Sequence, residues 1–413
     1  MLYLPFEQIL SEPIRNGLTK PKAIRGQGVK MIAMGEIFAN SRISNIDMDR
    51  VPVTEKERTN CSIYEGDLLF ARQSLTLEGA GKCSIVTKIE EDTVFESHLI
   101  RARVDTAKAN PYFIYYFFNS PYGRETIKAI VEQVAAAGIR GSDLIKLEVP
   151  CPPIETQNRM VSLLNSIDLK IENNKKINEN LQQQTQTLFR EWFIDNPDVS
   201  SWEEGTFSDI IEKTISGDWG KDTPSGNNTE MVYCIRGADI PEVRAGNKGK
   251  MPTRFILPKN YASKRLVDGD IVVEISGGSP TQSTGRAAAV STALLDRYNK
   301  GMVCTNFCKA LKPIAGYSMY VYHYWLYLYD MGVFFSYENG TTGIKNLDIN
   351  GFIETEPIII APATLVEKFD AFCQSVFSKV YANGLENEQL ALVRDTLLPK
   401  LMSGEIDVSN IQL

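Results

Sequence analysis

At 413 residues, with 43% hydrophobic and 23% charged, the chain is long enough for two to four domains, each with its own core, which excludes a single small module, a fibrous chain and a disordered tail. Its 44 basic and 51 acidic residues give a net charge of −7, which argues against a protein that coats nucleic acid non-specifically but leaves room for a local basic face. Seven dispersed cysteines without a CxxC pair, and only two histidines, argue against a structural zinc site.

In chain order, the N-terminal MLYLPFEQIL has no basic segment ahead of its apolar residues and reaches Glu7 and Glu12 early, unlike a secretory signal, so the cytoplasm is the expected location. VKMIAM, DLLFA, KCSIVTKI and HLIRARV follow, short runs bounded by Gly, Asp or Asn that read as strands. PYFIYYFF, from Pro111 to Phe118, lacks two-residue alternation and reads as a short buried helix. From Ile154 to Phe193 there is neither Pro nor Gly. A 3.5-residue seam runs through Met160, Leu164, Ile167, Ile171, Asn174, Asn178, Leu181, Thr185, Leu188 and Trp192, a coiled-coil pattern with a polar centre. Strand-like runs return as MVYCIR, DIVVEIS and GRAAAVST, and a second aromatic run follows Tyr317. The stretch from Tyr320 to Phe335 is broken by His323 and Asp330 and is too short to span a bilayer. A second helix carries the seam Phe369, Cys373, Val376, Val380, Asn383, Asn387, Leu390, Arg394, Leu397 and Leu401. It is expected to open on a Thr364 to Glu367 capping box, weaken at Gly384 and break near Pro399.

The chain repeats itself. Residues 153–193 align with 362–402 at an offset of 209, with Asn174, Asn178 and Glu179 opposite Asn383, Asn387 and Glu388. Upstream, Gly66-Asp67 corresponds to Gly269-Asp270, the two aromatic runs correspond, and Gly138-Ile139-Arg140 corresponds to Gly343-Ile344-Lys345. The paired Gly-Asp steps read as a shared β-turn. Two copies of one unit follow, an α+β globular part and then a helix: 1–150, 151–200, 201–356 and 357–413. In an antiparallel helix pair, setting Asn174 against Asn387 also sets Asn178 against Asn383, and such buried pairs would fix the register.

Catalytic motifs are missing. There is no Walker A loop, GxSxG or HExxH, and the nearest approach to an adenine-methyltransferase loop, Asn110-Pro111-Tyr112, has one proline only. His98 and His323 each lie in an apolar run and read as core histidines, and Cys304 and Cys308 as buried thiols. Basic residues nevertheless cluster, around Lys20, Lys22, Arg25 and Lys30 and around Arg244, Lys248, Lys250 and Arg254.

PPIETQNRMVSLLNSIDLKIE (Pro152 to Glu172) resembles the central conserved region of type I restriction-modification DNA specificity subunits, and LALVRDTLLPKLMSGEI (Leu390 to Ile406) resembles their distal region. With the two copies, the resemblance covers essentially the whole chain. One departure is that Thr364-Leu-Val366 stands opposite Glu155-Thr-Gln157. The resemblance implies an α+β fold with two target-recognition domains in a pseudo-twofold arrangement, separated by two long antiparallel coiled-coil helices. It implies a non-catalytic subunit whose domains each read half of a bipartite, asymmetric site in double-stranded DNA. The helices would set the spacing and dock two methyltransferase subunits and, indirectly, restriction subunits. S-adenosylmethionine and ATP with Mg are then expected on those partners and no cofactor here.

Arg favours guanine, and Asn or Gln adenine, in bidentate readout. Polar, Gly-containing loops put forward Arg25, Gln27, Lys30, Arg42, Arg72, Gln73 and Arg140 in the first copy, and Lys221, Arg236, Arg244, Lys248, Lys250, Arg254, Gln282, Arg286 and Lys345 in the second. Apolar positions such as Leu163, Ile167 and Phe372 are expected to face partners. The competing readings are a detached recognition part of a fused methyltransferase-nuclease and a coiled-coil scaffold that does not bind DNA.

Overall fold

The computed structural model describes residues 2–133, 136–279, 281–340 and 344–408, so Gly343 lies outside the described residues. It divides into two compact units, Met1–Leu169 with Ala391–Leu413, and Lys170–Leu390.

In the first unit, the strand Leu68–Ala71 lies at the centre of a five-stranded sheet between Leu99–Ala102 and Cys83–Val86, both antiparallel to it. All three strands are buried along their length, which is why they read as apolar runs rather than alternating ones. The helix Pro111–Asn119 packs on this body, opened by Pro111 in its first turn and by the Asn110 side chain, which accepts from the Tyr112 amide at 2.9 Å. Its Phe118 meets Phe6 and Phe70 edge-on, both at 5.1 Å. A three-stranded sheet, Arg50–Val51, Val29–Ile32 and Thr93–Phe95, encloses a smaller core with Met31 and Phe95. A third sheet of two-residue strands, Glu132–Gln133, Ala137–Gly138 and Gln73–Ser74, carries a polar edge.

The second unit repeats the plan, except that its central sheet has four strands among the described residues, without a counterpart of Arg42–Ile43. Ile271–Glu274 lies between Cys308–Pro313 and Ala287–Ala289, Glu230–Ile235 lies between Thr253–Ile256 and Met302–Cys304, and Lys345–Leu347 lies between Ser276–Gly277 and Glu338–Asn339. The helix Ser318–Asp330 takes the place of Pro111–Asn119 and buries Tyr320 and Trp325 completely. Even the turns repeat. Gly66 and Gly269 both have φ +86, and the following aspartates accept from the Tyr64 and Val267 amides at 2.8 Å. Asp67 then pairs with Arg103 at 2.7 Å and Asp270 with Lys312 at 2.6 Å.

Two long helices, Ile154–Phe193 and Ala363–Ser403, each contribute to both units. In the first unit Met160, Val161 and Leu164 share a core with Leu398, Leu401 and Met402. Buried Asp168 accepts from the Tyr116 hydroxyl at 2.6 Å and from Arg394 at 2.8 Å. In the second unit Phe193 packs on Tyr320 at 4.8 Å and on Phe369 at 5.2 Å.

The second helix corrects three expectations. It begins at Ala363, directly after Pro362, so Thr364 lies inside its first turn rather than at the cap. It runs on through Gly384, because that glycine is a place of close approach: a Cβ there would lie 1.9 Å from the Gly246 carbonyl oxygen. It also runs through Pro399 and ends at Ser403, before Gly404 at φ +79. Burial of Leu398, Leu401 and Met402, at about 1.5–3 kcal/mol each, outweighs the ~3 kcal/mol that a helix-interior proline costs. Ile167 is buried and Leu163 packs against the core, so of the three apolar positions expected to face partners only Phe372 is exposed. No helix of the described residues is long and apolar enough to cross a membrane.

Candidate nucleic-acid interface

The basic and amide side chains of the first unit sort by what already holds them. Arg25 pairs with Asp49 at 2.8 Å and donates to the Lys20 carbonyl at 3.2 Å, while Lys30 reaches Glu91 at 2.9 Å and Asn45 at 2.8 Å. Gln27 is exposed between Gly26 and Gly28, whose φ values of +116 and +102 throw this loop outward. Arg42 turns inward, buried 3.9 Å from Asp168 with its guanidinium 5.6 Å from the centre of the Tyr112 ring.

Arg72, Gln73 and Arg140 come together around a cleft of about 300 Å³ that Asn16, Glu132 and Gly141 also line. Arg140 pairs with Glu132 at 2.7 Å, whereas among the described residues the exposed Arg72 guanidinium has no ion pair. His98 corrects the core reading. The bond from the Arg72 amide to its carbonyl, 2.8 Å, sets His98 at the sheet edge, where its exposed ring puts Nδ1 3.2 Å from Gln73 Oε1.

In the second unit Arg236 is chelated by Asp239, at 2.9 and 3.1 Å, and donates to the Lys250 carbonyl at 2.8 Å. Asp239's hydrogen bonds raise the Arg236 pKa, just as those of Glu274, both 2.7 Å, raise that of Arg286. Arg254 is buried over the Trp219 ring at 4.0 Å and paired with Asp222. Lys345 pairs with Glu338 at 2.6 Å, and the Lys248 ammonium lies 4.7 Å over Tyr298. Lys221, Lys250 and Gln282 point exposed side chains outward. Arg244, Gln282 and Arg286 line one cleft of about 500 Å³ with Lys175 and Gln182 of the first long helix and Tyr329.

A guanidinium already chelated by a carboxylate has its paired donors occupied and must release that partner before offering the same edge to guanine. Gln27, Arg72, Lys221, Lys250 and Gln282 need no such exchange. The sequence reading missed Asn16, Lys175, Gln182 and Tyr329 because each stands outside the basic clusters that drew attention to its neighbours. Gln182 was open to discovery, since it follows Leu181 of the seam and so faces away from the helix-pair centre.

The helix pair of the second unit is polar where its neighbours are apolar. Asn174 Nδ2 donates to Asn387 Oδ1 at 2.9 Å and to Glu386 at 2.8 Å, and Asn383 Nδ2 donates to Asn178 Oδ1 at 2.8 Å. Asn178 in turn donates to the Ala245 and Val380 carbonyls, at 3.1 and 3.0 Å. All four asparagines are buried and satisfied, which is what makes a polar pair selective for one register.

Comparison with known proteins agrees with this duplicated architecture. Residues 13–183 match the type I restriction modification DNA specificity domain. The type I restriction enzyme MjaIX specificity subunit of Methanocaldococcus jannaschii is 26% identical, over 95% of this chain and 90% of that protein. The HindI specificity subunit of Haemophilus influenzae is 22% identical over 89% and 91%, and the EcoKI specificity subunit of Escherichia coli is 29% identical over 51% and 48%. The crystal structure of a type I restriction-modification S subunit from M. genitalium shares the fold, with a TM-score of 0.55 over 97% of this chain and 95% of that one at 16% identity. Relatives of this one kind align along nearly the whole chain, and with the doubled α+β plan of its structure the chain is similar throughout to type I restriction-modification DNA specificity subunits.

Proposed function

We propose that this protein is the sequence-reading subunit of a type I restriction-modification complex. Target-recognition domains over 1–150 and 201–356 each read one half of a bipartite, asymmetric site in double-stranded DNA. The helices of 151–200 and 357–413 set the separation of the halves and dock two methyltransferase subunits, through which restriction subunits join. Methyl transfer and ATP-driven cleavage belong to those partners, which carry S-adenosylmethionine and ATP with Mg, and this chain is non-catalytic.

One observation carries the reading: the same strand plan occurs twice, and at equivalent edge strands the two copies carry different side chains, Arg72, Gln73 and Ser74 in one and Ile275, Ser276 and Gly277 in the other. Duplication supplies two readers and divergence supplies two different half-sites. Exposed apolar residues on the long helices, Leu169 and Leu392 in the first unit and Phe372 and Leu385 in the second, offer contact area for partner subunits. The net charge of −7 is tolerable where partners share the phosphate contacts.

Exchanging residues 201–355 for the corresponding segment of another family member should change one half-site and leave the other as it was. Methylome mapping in cells carrying the methyltransferase partners reads this directly. Alteration of both halves would reject two independent readers, and loss of all site preference would reject the reading itself.

A further inference from the structure

Among the described residues of the first unit, Leu75 is the large apolar side chain that the fold leaves most open, 98% exposed at the start of the segment joining Gln73–Ser74 to Cys83–Val86. A single exposed leucine on a slack loop would carry no information. This loop is braced. The Thr76 amide donates to Ser74 Oγ at 3.1 Å, and the Gly79 amide to Thr76 Oγ1 at 3.2 Å. Arg124, from the helix Pro121–Lys128, donates to the Glu78, Ala80 and Gly81 carbonyls at 2.7, 3.2 and 2.9 Å. The scaffold therefore holds an apolar side chain out into water, at a cost that folding alone does not recover.

The second unit has an equivalent loop, between Ser276–Gly277 and Ala287–Ala289. It too is braced: Trp325 Nε1 donates to the Gly285 carbonyl at 2.8 Å, the Tyr329 hydroxyl to the Ser283 carbonyl at 3.3 Å, and the Gln282 amide to Ser279 Oγ at 3.0 Å. What this loop presents is Gln282. The same construction thus offers an alkyl group in one reader and an amide in the other.

Beside Leu75 stand Gln73 and Arg72, which has no ion pair among the described residues. Leu77 is partly exposed, Arg140 is compensated by Glu132, and the loop carries one carboxylate, Glu78. One projecting alkyl group next to an exposed cation suits a groove with a negative wall and an isolated methyl group, whereas a protein partner calls for a broader apolar patch. In the DNA major groove the isolated apolar feature is the thymine 5-methyl.

Resting on the reading above, we propose that Leu75 is a specificity-determining residue, packing on the 5-methyl group of a thymine in the half-site read by the first domain, with Arg72 on the adjoining backbone or base edge. The test uses the full chain assembled with its methyltransferase subunits and duplexes in which each thymine of the mapped site is replaced singly by uracil, which lacks the methyl group. At one position of the first half-site, uracil should weaken wild-type binding about fourfold, the effect of one buried methyl group. Leu75→Ala should weaken binding to thymine DNA by a similar or larger factor and no longer distinguish uracil there, with an unchanged thermal midpoint because the side chain is exposed.

Uracil at the second half-site should affect wild type and variant alike. The proposal is overturned by a first half-site without thymine, by indifference of the wild type to uracil throughout it, or by a Leu75→Ala complex that stays as sensitive as the wild type. A wild-type complex with no sequence preference would overturn the specificity reading instead, so the two failures are distinguishable.

Discussion

His323 is the side chain whose chemistry is most altered by folding. It is buried on the helix Ser318–Asp330, with Nδ1 2.9 Å from Gln186 Oε1, the Gln186 amide 3.3 Å from its own carbonyl, and no hydrogen-bond partner for Nε2 among the described residues. Because the Gln186 oxygen accepts, Nδ1 carries the proton and the neutral ring is held in one tautomer. Burial, reinforced by the nearby Arg244 charge, pushes its pKa from 6.5 down to about 3. The unfolded chain then binds a proton that the native state refuses. The associated stability is complete above about pH 6.5 and falls as the pH drops toward 3, by at most about 1.4 kcal/mol per pH unit. Between pH 6.5 and 4.5 the wild type should lose roughly 2 kcal/mol more than His323→Phe in denaturant titrations. Parallel acid limbs for the two proteins would sink this assignment. The sequence placed His323 in an apolar run and so exposed its burial, but the same reasoning applied to His98 failed. His98 ends a turn at the polar sheet edge, where its exposure follows from strand pairing rather than from its neighbours in the chain.

Periodicity and composition carry furthest for whole elements. The stretch without Pro or Gly became one 40-residue helix, Ile154–Phe193, and both aromatic runs became buried helices, because apolar patterning and helix length are written in consecutive residues. Propensity misled where a neighbour from far along the chain intervened. Gly384 lowers helix propensity, yet it lets the Gly246 carbonyl come within a distance that a side chain would block, 1.9 Å from the position of a Cβ. Gly384→Ala should therefore destabilise the protein despite a propensity gain of up to about 1 kcal/mol, the opposite of its effect in an isolated helix. A raised thermal midpoint for Gly384→Ala would contradict the close approach. Gly246, at φ +83, faces the same constraint from the other side, where a Cβ would lie 2.5 Å from the Val380 carbonyl oxygen.

For the molecule as a whole, the proposed division between readers and helices makes a geometric prediction. Inserting four residues into the first helix near Asn174 adds about 6 Å of rise and roughly 40° of rotation. At about 3.4 Å per base pair that is nearly two base pairs. The half-site sequences should persist while the unspecified spacer between them lengthens by one or two base pairs. Affinity should fall somewhat, because two base pairs turn B-DNA by about 70°. The insertion also disturbs the bonds of Asn174 to Asn387 and Glu386, so a matched insertion near Asn383 is the partner experiment. Methylome mapping that returned an unchanged spacer from an active complex would show that the helices do not set the distance.

By itself the sequence determined the duplication, the α+β character of each copy, the long helices and the resemblance to type I specificity subunits, since these depend on patterns along the chain and on motifs such as Pro152 to Glu172. Tertiary structure alone decided the electrostatic condition of each basic side chain. Arg25 meets Asp49, Arg140 meets Glu132, Arg286 meets Glu274 and Arg42 faces Asp168, while Arg72 has no ion pair among the described residues. An arginine carries the same charge in every loop of a sequence. Whether its donors remain available depends on which carboxylate the fold brings within about 3 Å, and strand pairing and helix packing between distant segments set that distance.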